Sequence, residues 1–225
     1  MTVPMYVPPE QVMKDRADYA RKGIARGRAS IASIYRDGVL LCAENPSNTL
    51  RKVSEIYDRI GFMGVGKYNE FDQLRIAGVR HADLKGYSYS RADVDARWLA
   101  NQYAQILGQY FTHEMKPLEV EMLIAELGPE PDGDRLFHLL YDGTVMDMTT
   151  FVVIGGEADM IRERMEASWA TGADLSTALG AAVDALAGPE RTLGPEDLEV
   201  AVLARDNGRR AFQRLEGEAL AALLG

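Results

Sequence analysis

The largely apolar runs from Ser30 to Tyr35 and from Val39 to Glu44 read as two strands, and the intervening Asp37-Gly38 is a turn signal, so the chain predicts a β-hairpin there. Before the hairpin, Pro8, Pro9 and Glu10 predict a helix start, with proline in the first turn and a carboxylate at the positive end of the helix dipole. That helix covers 10–23 and is charged on most sides. Val12, Met13, Ala17, Tyr19 and Ala20 give it only a thin apolar stripe, so it needs a neighbour to pack on. Short β-prone runs follow at Val53–Tyr57 and Ile60–Val65. A helix is then predicted over Asn69–Ala82, and another from Ser90 with Asp93 at the capping-box position and Leu99, Tyr103, Ile106 and Tyr110 on one face.

Strands resume at Leu118, where Leu118, Val120, Met122 and Ile124 alternate with Glu119 and Glu121. Asp142-Gly143 marks a second hairpin between 136–141 and 144–148, and 151–154 reads as one further strand. Helices are predicted at 157–169 and 174–187, the latter with Leu175, Leu179, Val183 and Leu186 on one side. Strands at 198–205 and 209–215, separated by Asp206-Asn207-Gly208, precede a short final helix. Hairpins alternating with pairs of helices predict antiparallel sheets covered by helices. The fold class is α+β: a four-layer αββα sandwich, two antiparallel sheets flanked by helices, with an extra N-terminal helix.

Composition narrows the function. At 225 residues and 47% hydrophobic content, one domain over 10–225 with a sizeable core is expected, preceded by a segment 1–9 without helical pattern. A net charge of −9 argues against a nucleic-acid partner, because phosphate binding needs clustered Lys and Arg. No run approaches the ~18 apolar residues of a membrane span, so no membrane partner is expected and the location read from the sequence is cytoplasmic. A single cysteine, Cys42, precludes an intramolecular disulfide and fits a reducing compartment.

Few motifs carry chemistry. Gly61-Phe-Met-Gly-Val-Gly66-Lys67 has the spacing of a phosphate loop, but Tyr68 stands where a Ser or Thr must ligate magnesium, so a glycine-eased turn from strand to helix is the better reading. His81, His113 and His138 are isolated, and His113-Glu114 lacks the second histidine of a zinc-binding helix. No metal and no cofactor is implied. Cys42 reads as a core residue in mid-strand, and composition alone makes Lys52 a solvated charge.

The segments 11–28, 36–47 and 52–61, together with Gly66-Lys-Tyr-Asn-Glu-Phe-Asp, Gly86-Tyr-Ser-Tyr and Leu198-Glu-Val-Ala-Val-Leu, resemble the α subunits of actinobacterial proteasomes. The resemblance runs from about Met5 to Leu224 and implies the αββα fold of N-terminal nucleophile hydrolases. In catalytic subunits of that family a processed Thr opens the first strand, aided by an acid after the second strand and a lysine before the third, and its free amine is the base. Aligned on Asp37-Gly38, these positions hold Arg28, Glu44 and Lys52. A guanidinium has no nucleophilic oxygen, so the resemblance implies a non-catalytic subunit.

It further implies seven copies in a ring that caps a β-subunit core and admits unfolded protein substrates through a gate. The gate would be Met1, Thr2, Val3, Pro4, Met5, Tyr6, Val7, Pro8 and Pro9. Tails of a ring-shaped AAA ATPase or an ATP-independent activator would dock in a pocket containing Lys52, Gly66 and Asp18, with the lysine meeting the terminal carboxylate. The helix 10–23 would pack on its equivalent in the next subunit, or alternatively lie over its own domain; the helices near 69–82 and 90–115 would face the β ring. A reading of another class is an autoprocessed amidohydrolase with Ser30 as nucleophile.

Overall fold

The computed structural model describes residues 8–47 and 49–225. Helix α1 (Pro9–Ile24) leads into β1 (Ser30–Tyr35) and β2 (Gly38–Glu44), then β3 (Val53–Tyr57) and β4 (Ile60–Gly66). Helices α2 (Tyr68–Ser88) and α3 (Ala96–His113) precede β5 (Val120–Glu126), β6 (Arg135–Leu139), β7 (Val145–Met148) and β8 (Phe151–Ile154). Helices α4 (Ala158–Ser168) and α5 (Leu175–Ala187), strands β9 (Leu198–Ala204) and β10 (Phe212–Leu215), and α6 (Gly217–Leu224) complete the chain.

The strands pair into two antiparallel five-stranded sheets, β10-β9-β2-β1-β8 and β3-β4-β5-β6-β7. Leu41, Met63, Val65, Leu123, Leu136 and Leu203 fill the space between the sheets. A second core, with Ile31, Leu40, Leu179, Leu186 and Val202, separates the first sheet from α4 and α5. A third, with Phe62, Phe71, Leu99, Tyr103, Leu107 and Met122, lies under α2 and α3. This is the αββα sandwich expected from the element order. Because both faces of the first sheet are covered, β2 and β9 are buried at every position and read as apolar runs, interrupted only by Glu44 and Glu199, rather than as alternation.

The structure moves several boundaries. In the first hairpin Tyr35 pairs with Gly38, so Arg36 and Asp37 form the turn and Gly38 already belongs to β2. The helix expected from Ser90 divides: the Ser90 hydroxyl caps a short 3₁₀ turn at 91–93, and α3 starts at Ala96, where the Asp95 carboxylate accepts the Trp98 N–H at 2.7 Å. Leu107 takes the buried place that the stripe gave to Tyr110, which is exposed. The 142–143 turn packs on the helix at Gly108, two residues before Tyr110.

Helix α1 lies over its own domain. Arg16 donates to the carbonyls of Phe111 (2.6 Å), Glu114 (2.7 Å) and Tyr110 (2.9 Å), satisfying the open C-terminal end of α3. Ala20 and Ile24 pack with Tyr141 on the same side. Val12, Met13 and Tyr19 stay exposed. Of the nine gate positions, Met1 to Val7 lie outside the described residues. Pro8 is the N-cap of α1 and Pro9 its first helical residue, so Pro9 belongs to the helix rather than to the segment before it.

Candidate functional site

Residues 25–29 carry the chain from α1 into β1, where they lie against Gly66 at the end of β4 and against Gly155 after β8. Gly66 has φ +106°, and a Cβ there would collide with the Glu119 carbonyl, so only glycine lets β4 turn into α2 at this close approach. Gly61 and Gly64 are interior residues of β4, packed on Leu41 and Phe71. The run 61–67 is therefore a strand and its exit, and no phosphate cradle forms.

Arg28 stands two residues before β1. Its guanidinium is bonded to the Glu44 carboxylate at the end of β2, and Arg191 reaches the same carboxylate with Nη1 at 2.9 Å and Nη2 at 3.2 Å. Burial alone would raise the Glu44 pKa, but the bonds from Arg191 and Arg28 outweigh it and hold the carboxyl below the usual range. Glu44 is thus a fixed anion at neutral pH. Arg28 and Arg191 are about half exposed and, with Glu44, Gly27, Gly156 and Glu157, line a cavity of 390 Å³.

Lys52 approaches from the start of β3. Its Nζ donates to the Arg28 carbonyl at 2.6 Å and to the Glu44 carbonyl at 3.0 Å. Burial lowers its pKa to about 8, against the pull of Glu44 and Glu199, while Arg28 pushes the same way as burial. No carboxylate among the described residues forms an ion pair with it. The lysine therefore holds a poorly hydrated charge, bonded only to carbonyls, that is half protonated near pH 8. Such a group favours an added anion and loses that preference as pH rises through 8.

The structure brings Lys52, Glu44 and Arg28 into one cluster; Gly66 borders it through Gly27, and β4 also reaches it through the Gly64 N–H, which donates to the Lys52 carbonyl at 3.0 Å. Asp18 is not part of it: it sits on α1, 3.4 Å from Arg21. Ser30 is fully buried on β1 and its hydroxyl has no hydrogen-bond partner among the described residues, so none of them activates it as a base. Cys42 is buried in the core, with its thiol pKa pushed up to about 12 by burial. His138 is buried on β6 with Nε2 2.6 Å from Glu121, whose other oxygen accepts the Gly155 N–H at 2.9 Å, a structural link between the two sheets. Among the described residues no group of three His, Cys, Asp or Glu is placed to hold a metal, and no helix is long and apolar enough to cross a membrane.

Three residues of the cluster's surroundings were not singled out from the sequence: Arg191, Glu199 and Arg214. For Glu199 a signal existed. It is a carboxylate inside the fully buried run Leu198–Ala204, and a charge in such a run needs a built set of partners. Arg191 lies in a loop with no periodicity, and nothing local marks it.

The family "Proteasome subunit" matches residues 24–203. A curated relative from Acidimicrobium ferrooxidans, "Proteasome subunit alpha", is 60% identical over 225 residues, covering 100% of this chain and 97% of its own length. Relatives of the same description from Xylanimonas cellulosilytica (54% identical, covering 98% of this chain and 95% of their length) and Thermomonospora curvata (52%, covering 100% and 98%) are similar along the whole sequence.

Proposed function

Since the chain belongs to the proteasome α-subunit family in its actinobacterial form, we propose that it is the non-catalytic subunit that forms the outer, seven-membered rings of a bacterial 20S core particle. Those rings sit on β subunits that carry the nucleophile. The segment before α1 gates the entry of unfolded polypeptide, the domain from α1 onward builds the ring, and the particle works in the cytoplasm. Activator tails, from a ring-shaped AAA ATPase or an ATP-independent partner, dock at a pocket between adjacent subunits that holds Lys52 and Gly66 and that Asp18, on α1 and outside the Lys52 cluster, lines at its edge.

One observation carries the non-catalytic reading. The nucleophile's place is held by Arg28, whose side chain is tied to Glu44 and whose carbonyl is tied to Lys52. The lysine that would assist a nucleophile instead fastens the backbone beneath it. The burial of Ser30 speaks against an amidohydrolase matured at that residue. Purified alone, the chain is expected to hydrolyse no fluorogenic peptide, and activity is expected only after coassembly with a β subunit. Strong hydrolysis by the chain alone, abolished by Ser30→Ala, would overturn the assignment.

Docking rests on the desolvated ammonium of Lys52, which lacks a carboxylate partner of its own. Lys52→Ala is expected to weaken binding of a peptide with a free C-terminal carboxylate by at least tenfold, read by fluorescence anisotropy on the coassembled particle. Binding of the wild type should also fall as pH rises through about 8.

A further inference from the structure

Glu199 is 4% exposed at the start of β9. A buried carboxylate persists only where its lone pairs are met, and here four donors meet them. Oε2 accepts the backbone N–H of Lys52 at 2.8 Å and Asn45 Nδ2 at 2.7 Å. Oε1 accepts the backbone N–H of Val53 at 3.3 Å and Arg214 Nη1 at 2.8 Å. Arg214 then turns its other nitrogen to the Val53 carbonyl at 2.6 Å, and Asn45 also donates to the Leu50 carbonyl at 2.7 Å.

The loop from β2 to β3 thus crosses between the sheets and is clamped at both ends by one side chain. The clamp falls on the residue whose ammonium serves the proposed pocket. Two adjacent N–H groups pointing at a single carboxylate fix the peptide planes around Lys52, and with them the direction in which its Cβ leaves the chain. The other side of the same residue is held by β4, through its carbonyl and the Gly64 N–H.

We propose that Glu199 is the positioning residue of the docking lysine: its carboxylate sets the backbone of Lys52 and supplies the negative field that keeps the ammonium charged in its partly desolvated place. This rests on the reading of Lys52 as the tail-binding cation. The groups facing that ammonium are Glu44 and Arg28 beside it, Arg191 across Glu44, and Glu199 with its counter-charge Arg214 behind it.

The test uses the coassembled particle and a fluorescein-labelled octapeptide copying the C-terminus of the same organism's proteasomal ATPase, with its C-terminal amide as control. Glu199→Gln keeps shape and one acceptor but removes the charge. It is expected to weaken the acid peptide about tenfold at pH 7.5, to leave the amide unchanged, and to move the alkaline loss of binding to lower pH. Arg214→Met removes the counter-charge and is expected to move that limb the other way, which also tests the idea should Glu199→Gln fail to assemble. Asp134→Asn, another buried carboxylate, controls for general loosening and should leave the pH limb in place. If Lys52→Ala abolishes binding while the charge changes at 199 and 214 leave both affinity and pH limb unmoved, Glu199 is structural only and the proposal is overturned. If Lys52→Ala itself has no effect, the docking reading fails first and this proposal fails with it.

Discussion

Strand β9 has the buried Glu199 near its start and Arg205 just after its end, and the two ends of the sandwich that they mark use their charges differently. At the far end, Asp134 is fully buried, accepts the Gly128 N–H at 2.9 Å and is bonded directly by Arg205, while Arg59 caps the Leu127 carbonyl at 2.7 Å. Anion meets cation inside a closed loop. At the near end, Glu44 is shared by two half-exposed guanidiniums, Glu199 is tied up by backbone and Arg214, and Lys52 receives no carboxylate at all. That end also opens on a cavity. A paired charge serves to close a loop; a charge left bonded only to carbonyls, next to open space, is in a state to meet a partner.

The difference is broken most forcefully at the closed end. Arg205→Ala strands the Asp134 carboxylate in the interior, and loss of one member of a buried pair costs about 3 kcal/mol. The thermal midpoint is expected to drop by roughly 6–12 °C, with most of the loss recovered when Asp134→Asn is added. The matching change at the open end, Arg191→Ala, leaves Glu44 bonded to Arg28 and removes a side chain already 45% exposed. Its expected cost is below about 1 kcal/mol. Equal losses at both ends would erase the distinction.

A second test concerns Lys52. Its pKa is lowered to about 8 by burial, so between pH 8 and the ordinary lysine value the folded chain binds fewer protons than the unfolded one. Stability should therefore rise with pH across that window, a cost of the charged lysine being relieved as it deprotonates. Lys52→Met is expected to abolish this alkaline rise in thermal midpoint, and to leave stability at pH 7 equal or higher even as peptide binding is lost. A variant that destabilises at pH 7 would mark Lys52 as a structural bond rather than a held charge.

The ladder of elements was legible in the sequence because it rests on local periodicity and turn chemistry. The 30–44 hairpin, the paired helices and the final strands appear close to where they were read. Misplaced features are those decided by neighbours: Tyr110 carries the right periodicity but is left exposed, and Ser90 caps only a single turn because Asp95 caps α3. At the site, charge patterning makes Lys52 a solvated lysine, and only the resemblance raised it and Gly66 above that. Arg191 and Glu199 join Glu44 and Lys52 from about 147 residues away in sequence. Pairings of that span are a product of the fold, and only an acid in an apolar run, as at Glu199, hints at one.

The smallest effect is the sign of the acid limb. Glu44 has its pKa lowered, burial being outweighed by Arg191 and Arg28, so it contributes stability that is present above the ordinary glutamate range and is lost as pH falls through its folded value. Asp134 has its pKa raised, because burial outweighs Arg205 and the Gly128 N–H. It binds its proton more tightly folded than unfolded, so its contribution grows as pH falls. Thermal midpoints between pH 6 and pH 4 should therefore fall less steeply in Glu44→Gln than in the wild type, and more steeply in Asp134→Asn. Each change is worth about 1 kcal/mol or less. A like change of slope in both variants would mean that the two ends treat a buried acid alike, and that the open end owes its character to its cavity rather than to its charges.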